Sequence, residues 1–471
     1  MPDADLVRLS LVEAGDLIRR RELSPVELTT AVLERIAAVN PVINAFTTLV
    51  PREDALAAAR VAEREVMAGS YRGPLHGIPV SVKDLIDTAG IRTTYGSGMF
   101  GDHVPTRDGG VPERLRAGGA ILTGKTATHE LGKGITTNNY FYGTTRNPWN
   151  LDHVPGGSSG GAAAAAAALC GPLHVGTDGG GSIRFPAAFC GVTGLKPTLG
   201  LISNRGQFGG VGTSFSVPGP LTRTVRDAAV AAQALVGFDP DYLYSRPGPV
   251  PDLIGGLDAG VRGLRVGTSA DFLATPPEPD VLAAYEATLA RLEELGARRV
   301  AVAMPHHDRV VRCIMTLMNI EGGVAFDALA GDRPRVFSPQ VERINALTRT
   351  PDVAACMRML DDRQRVRRDY EAAFCEADVL VLPVAPIPAP RIDDDELRDA
   401  ARCTTYTGAA NLAGVPAVPL PAGSSNGLPV AVQIVAPAGA DALALRVAYA
   451  LEHAAPEHRV AEPPLVKRSP S

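Results

Sequence analysis

The segment from Val154 to Thr198 constrains this chain more than any other. Two glycine clusters, Gly156-Gly157-Ser158-Ser159-Gly160-Gly161 and Gly179-Gly180-Gly181-Ser182, bracket an alanine run, Ala162–Ala168. Glycine lets two backbones approach closely, and consecutive N–H groups in such a turn form a concavity that holds a negative oxygen. A serine inside that concavity is a candidate nucleophile. Gly-Ser clusters also occur in flexible linkers. Here long apolar runs flank both clusters, and linkers do not alternate with alanine helices. The segment is therefore read as built structure that carries chemistry.

Composition narrows the classes. A length of 471 residues gives a soft prior of two or three domains. Hydrophobic residues make up 45% and charged residues 21%, the balance of a globular chain. The net charge of −5 offers no basic surface, so no nucleic-acid partner is expected. The opening residues show no basic segment followed by an apolar one, so no signal peptide is expected. The alanine run is too short and too weakly apolar to span a bilayer, so no membrane partner is expected. The six cysteines show no C-x-x-C spacing, which points to reduced thiols and a cytoplasmic setting. His306-His307 lacks carboxylate support and makes a poor metal site, so no metal or cofactor is expected.

Lysine usage is uneven. Five lysines stand against forty-one arginines, and Lys83, Lys125, Lys133 and Lys196 all lie between positions 83 and 196. A buried lysine can lose its proton, whereas arginine cannot. Lysines kept around the Gly-Ser clusters suggest a need for an amine there, although each could equally be an ordinary surface charge.

Strand and helix patterns alternate along the chain, which gives an α/β class. Ser24-Pro25-Val26-Glu27 is a capping box that starts a helix to about residue 38, and a second helix is expected over residues 52–67. Residues 78–84 read as a buried strand ending on Lys83, where desolvation lowers the amine's pKa towards that of a base. Further helices are expected over 108–117, 280–295, 352–375 and 440–453. Strands are expected over 120–123, 264–268, 299–303, 378–383, 415–420 and 428–435. The tail from residue 457 to 471 is expected to be disordered. Gly119 to Thr126 matches the P-loop pattern but is preceded by a helix and contains its own strand, so it is rejected.

These residues resemble the amidase signature family. The likeness rests on the Gly156–Gly161 cluster, on Gly176-Thr177-Asp178-Gly179-Gly180-Gly181-Ser182-Ile183-Arg184, and on Gly194-Leu195-Lys196-Pro197-Thr198. It extends upstream to Gly73–Asp84 and Asn147-Pro148-Trp149-Asn150, and downstream to Gly427-Leu428-Pro429 with Gln433. It covers positions 10 to 455, with Ser158 placed 75 positions after Lys83 and Ser182 placed 24 positions after Ser158. The resemblance implies a single large α/β domain over residues 1–456, a mixed β-sheet covered by α-helices. It implies a Ser–cis-Ser–Lys triad with Ser182 as nucleophile, Ser158 as the bridging serine after a cis peptide, and Lys83 as base. It assigns the oxyanion hole to the N–H groups of Gly179, Gly180, Gly181 and Ser182, and supporting places to Ser159, Asp178 and Arg184. The substrate would be a small-molecule amide, and a homodimer is compatible with the family. Gly179 stands where the family usually carries a larger residue, Ala162 where serine is frequent and Ala431 where glycine is frequent; none of these removes a triad member.

Three other readings remain open on the sequence. Gly156-Gly157-Ser158-Ser159-Gly160 fits the G-x-S-x-G elbow, which would need a later acid and histidine; His306, His307, His453 and His458 carry no supporting motif. Cys190 could be a nucleophile, but in Ala-Phe-Cys-Gly it reads better as a small buried residue. The glutaminase subunit of a tRNA-dependent amidotransferase shares the signature. It would be expected to carry a basic Lys-Arg-Arg-Ile segment where this chain has Gln340-Val341-Glu342-Arg343-Ile344. The acyl pocket is expected to use residues 133–142 and 204–213, with Tyr140, Phe141 and Phe208 favouring apolar acyl groups.

Overall fold

The computed structural model describes residues 3–208, 212–347 and 352–468. Gly209, Gly210 and Val211 of the expected pocket loop, and residues 469–471 of the expected tail, lie outside the described residues.

The local signals act as their chemistry predicts. Ser24 Oγ accepts from the N–H groups of Val26 and Glu27, and Glu27 reaches back to the Ser24 N–H. The helix they start, Pro25–Ile43, outruns its expected end because the buried spacing continues through Ile36, Val39 and Ile43. It stops where Asn44 turns left-handed at φ 49°. The helix Arg52–Met67 and the strand Leu428–Val435 coincide with their sequence expectations.

The expected mixed sheet is built as a six-stranded and a five-stranded part joined at their edges. Six strands run in the order Phe46–Leu49, Ile121–Thr126, Pro79–Lys83, Leu173–Asp178, Val217–Thr222 and Thr193–Gly194. The inner three pair in parallel and the rest antiparallel. Five more run Arg298–Ala301, Arg265–Thr268, Val379–Pro383, Leu428–Val435 and Ala417–Ser425, again mixed. The two sheets meet at one bridge, where Lys196 and Ala417 exchange backbone hydrogen bonds of 2.9 and 2.8 Å. One domain therefore holds two sheets, covered by helices.

The alanine run explains how a helix fits inside this layer. Gly160–Ala167 is buried along its whole length. Alanine carries the best helix propensity and has no bulk to accommodate. A Cβ on Gly161 would stand 2.4 Å from the Ala127 nitrogen and 2.5 Å from the Ala45 oxygen, so only glycine permits the approach.

Two long helices lie outside the sequence expectations. Val310–Ala330 is apolar on most faces and carries Gly322-Gly323, which hides its period. With its leading turn, His307–Ala330 is the one described helix long and apolar enough to cross a membrane, at a mean hydropathy of 1.3. Its Val310, Cys313, Ile314 and Leu317 are buried in the same apolar cluster as Ala409 and Ala410 of the second helix, Glu396–Ala413. The tail also differs from expectation. Between Pro456 and Arg468 it forms a turn and a short helix, because His458 is 1% exposed with Nδ1 2.8 Å from the Pro421 carbonyl, and Arg8 pairs with Glu462.

Candidate active site

Lys83 ends a buried strand, and Thr177 and Asp178 end the parallel strand beside it. The carboxyl ends of parallel strands are the usual place for a site in open α/β sheets. Lys83 is fully buried, and its Nζ lies 2.7 Å from Ser158 Oγ, 2.8 Å from Ser159 Oγ and 2.9 Å from Thr177 Oγ1. Three partners fill the three free directions of a tetrahedral nitrogen, whether charged or neutral. Burial pushes the Lys83 pKa well below its ordinary value; the Asp178 charge opposes this without reversing it. The peptide bond between Gly157 and Ser158 is cis.

Ser159 stands where a helix cap would, yet its hydroxyl does not cap. It donates to the Thr177 carbonyl at 3.0 Å and accepts from the Thr177 N–H at 3.1 Å as well as from Lys83. The helix amides it leaves are met elsewhere: Gly160 N–H donates to Thr137 Oγ1 and Gly161 N–H to the Ala127 carbonyl. The Ser159 N–H donates to the Ser182 carbonyl at 3.1 Å, which ties the two glycine clusters together.

Asp178 and Arg184 brace the second cluster. Arg184 grips both Asp178 oxygens, at 3.0 and 2.9 Å, and neither side chain is exposed. Burial alone would raise the Asp178 pKa, but the charge and hydrogen bonds of Arg184 hold it below the carboxylate range. Arg184 also donates to the Thr407 carbonyl, Gln433 Oε1 and Asn411 Oδ1, and Thr407 Oγ1 donates to the Gly180 carbonyl. Thr177 lies inside the Gly176–Arg184 motif, but no local pattern selects Thr407 or Asn411, which sit more than two hundred residues from Gly180 and Asp178 in the chain. The expectation for Gly181 is corrected. Its N–H donates to Asp178 Oδ1 at 2.8 Å, so that amide is committed to the carboxylate and leaves those of Gly179, Gly180 and Ser182 as candidates.

Replacing Arg184 with methionine is expected to leave Asp178 as a buried, uncompensated charge. The loss should be about 3–5 kcal/mol of stability, read as a lower denaturation midpoint at unchanged slope. A variant as stable as the parent would show that Asn411 and the backbone suffice.

Ser182 is partly exposed and opens on a cavity of about 70 Å³. Lys133, Gly134 and Ile135 of the expected 133–142 stretch line it, but the expected aromatics do not form its apolar wall. That wall comes from Ile135, Phe185, Ile314, Met315, Met318 and Leu397. Tyr140 is 70% exposed, Phe141 packs against Gly98, and Phe208 lines a neighbouring cavity that also touches Lys133. The helices Val310–Ala330 and Glu396–Ala413 supply the missing wall, which is why sequence alone pointed to the wrong aromatics.

The other candidates are placed elsewhere. Cys190 is buried, and desolvation pushes its thiol up, away from a reactive thiolate. The Ser158 hydroxyl is met by Lys83, and the partners of His306, His453 and His458 are Asp369 and the carbonyls of Tyr449 and Pro421, so no described hydrogen bond supports the elbow reading of Ser158. Lys125 is buried among Ile86, Thr88 and Thr93, with its pKa lowered by burial to about 8. Lys196 is likewise buried, its pKa lowered to about 7, and donates to the Pro197 carbonyl.

Known proteins similar in sequence and in fold place the chain in a family. The Amidase family model matches residues 27–445. A glutamyl-tRNA(Gln) amidotransferase subunit from Moorella thermoacetica is 37% identical over 480 residues, covering 97% of this chain and 98% of that protein. A bacterial aryl acylamidase of the amidase signature superposes with a TM-score of 0.88 at 28% identity, covering 95% of this chain and 96% of that one. The peptide amidase of Stenotrophomonas maltophilia superposes with a TM-score of 0.83 at 31% identity, covering 96% and 98%. The chain belongs to the amidase family and is an amidase-type enzyme acting on carbon–nitrogen amide bonds.

Proposed function

We propose that the chain hydrolyses a carboxylic acid amide to acid and amine or ammonia through an acyl-enzyme on Ser182. The observation that carries this reading is the buried Lys83 amine, its pKa driven down by desolvation, in contact with Ser158. Neutral Lys83 takes the Ser158 hydroxyl proton as Ser158 takes that of Ser182. The Ser182 oxygen attacks the amide carbon, and the carbonyl oxygen gains the charge. The N–H groups of Gly179, Gly180 and Ser182 meet that charge as it develops. The proton then returns through Ser158 to the nitrogen, the carbon–nitrogen bond breaks, and the amine departs. Water, deprotonated by the same relay, attacks the ester and releases the acid. Ser159 and Thr177 aim the amine, while Asp178 and Arg184 set the shape of the glycine loop.

A second reading follows from the Moorella relative: a glutaminase that passes ammonia to a protein partner. The stretch Gln340–Ile344, which stands in place of a basic segment, favours a free-standing enzyme.

The test is to quench the protein during turnover of a slow anilide and weigh its peptides. An acyl group on the peptide carrying Ser182 is expected. An adduct on Ser158 or Cys190 would overturn the mechanism.

A further inference from the structure

The chemistry of the cavity beside Ser182 restricts the acyl group. Two ionisable side chains lie among its described lining residues, Lys133 and Glu396. Both are engaged. Glu396 Oε1 accepts from the Ile135 N–H at 2.8 Å, and Oε2 accepts from Thr136 Oγ1 at 2.9 Å and from Gln340 Nε2. His129 Nδ1 stands 3.6 Å from the same carboxylate, which is only 9% exposed. Lys133 Nζ donates to Asn345 Oδ1 at 3.0 Å; burial lowers its pKa, against the pull of Glu130. Glu130 is itself occupied by Ser97 Oγ and the Ser338 N–H.

A free amino acid amide such as glutamine brings an ammonium and a carboxylate beyond the reacting carbonyl. Its ammonium would find a carboxylate already holding three neutral donors. Its carboxylate would find an ammonium that burial already disfavours. Ions left in an apolar wall beside partners already committed elsewhere carry a desolvation penalty that is offset only in part. An apolar group suffers no such loss. Ile314, Met315 and Met318 instead present a surface that favours methylenes, and the unbranched methionines adjust to its shape.

We infer that the acyl half of the substrate is uncharged and apolar, an aliphatic or aryl carboxamide and not a free amino acid, and that Ile314, Met315 and Met318 read it. This rests on Ser182 being the acylated residue.

The experiment has two arms. In the first, hydrolysis is followed for primary amides from acetamide to hexanamide, for benzamide, and for glutamine and succinamic acid. The ratio kcat/KM should climb about fourfold per methylene until the cavity fills. Glutamine and succinamic acid should fall about 100-fold or more below hexanamide. Met318→Glu and, separately, Met315→Glu should each cut the preference for hexanamide over glutamine by about tenfold. A flat series, or preference for glutamine or succinamic acid, overturns the inference while leaving the acyl-enzyme intact. In the second arm, binding of the same compounds to Ser182→Ala is measured by titration calorimetry, which needs no chemistry. Should no amide be turned over, the acyl-enzyme reading fails, and this arm decides the pocket alone. Binding of hexanamide but not glutamine supports it; the reverse, or binding of neither, overturns it.

Discussion

Ser182→Ala is expected to reduce amide hydrolysis by a factor on the order of 10⁶, the scale of losing a serine nucleophile elsewhere, while the protein stays folded. The substitution removes one oxygen from a partly exposed side chain. The Ser182 carbonyl still accepts from the Ser159 N–H, so the link between the two glycine clusters persists. The melting temperature should therefore change little, which separates loss of chemistry from loss of fold. Ser158→Ala breaks the relay and should also be nearly inactive. It should not abolish acylation by highly activated esters, which need less help from a base. Turnover at the parent rate in Ser182→Ala, with Ser158→Ala dead, would transfer the nucleophile to Ser158.

Lys83 gives the second large effect. Lys83→Ala should lose general-base catalysis, about 10²–10⁴-fold. Lys83→Arg should do as badly, because a guanidinium keeps its proton at any usable pH. The pH profile carries the sign. Burial lowers the Lys83 pKa, so the neutral amine is present above that depressed value and the ammonium below it. The rate should accordingly rise with pH through the Lys83 pKa and fall as pH drops beneath it. A purely structural lysine would lower activity when replaced but would impose no such limb. An active Lys83→Arg enzyme with an unchanged profile would sink the relay.

Lys83, Ser158 and Ser182 are legible in the sequence because each sits in a dense local motif. Such motifs record backbone demands: glycine where chains touch, serine where a hydroxyl must face a turn. The helix Arg52–Met67 and the strand Leu428–Val435 are legible for a similar reason, since their periods are clean over their own lengths. The helix Glu396–Ala413 escapes sequence reading because threonine and Gly408 weaken its propensity, and packing against Val310–Ala330 supplies what the sequence does not.

The sequence by itself therefore determined the α/β class, the family likeness and the candidate reacting groups, because these are written in contiguous residues. Tertiary structure alone decided three things. It turned the Gly181 N–H to Asp178, it locked the glycine loop through Thr407 and Asn411, and it built the apolar wall beside Ser182 from Ile314, Met315 and Met318. The loop ties and the wall depend on contacts between segments far apart in the chain, and the Gly181 turn on the loop shape those contacts impose. Their meeting is set by the burial of apolar faces and the pairing of buried polar groups rather than by any local pattern.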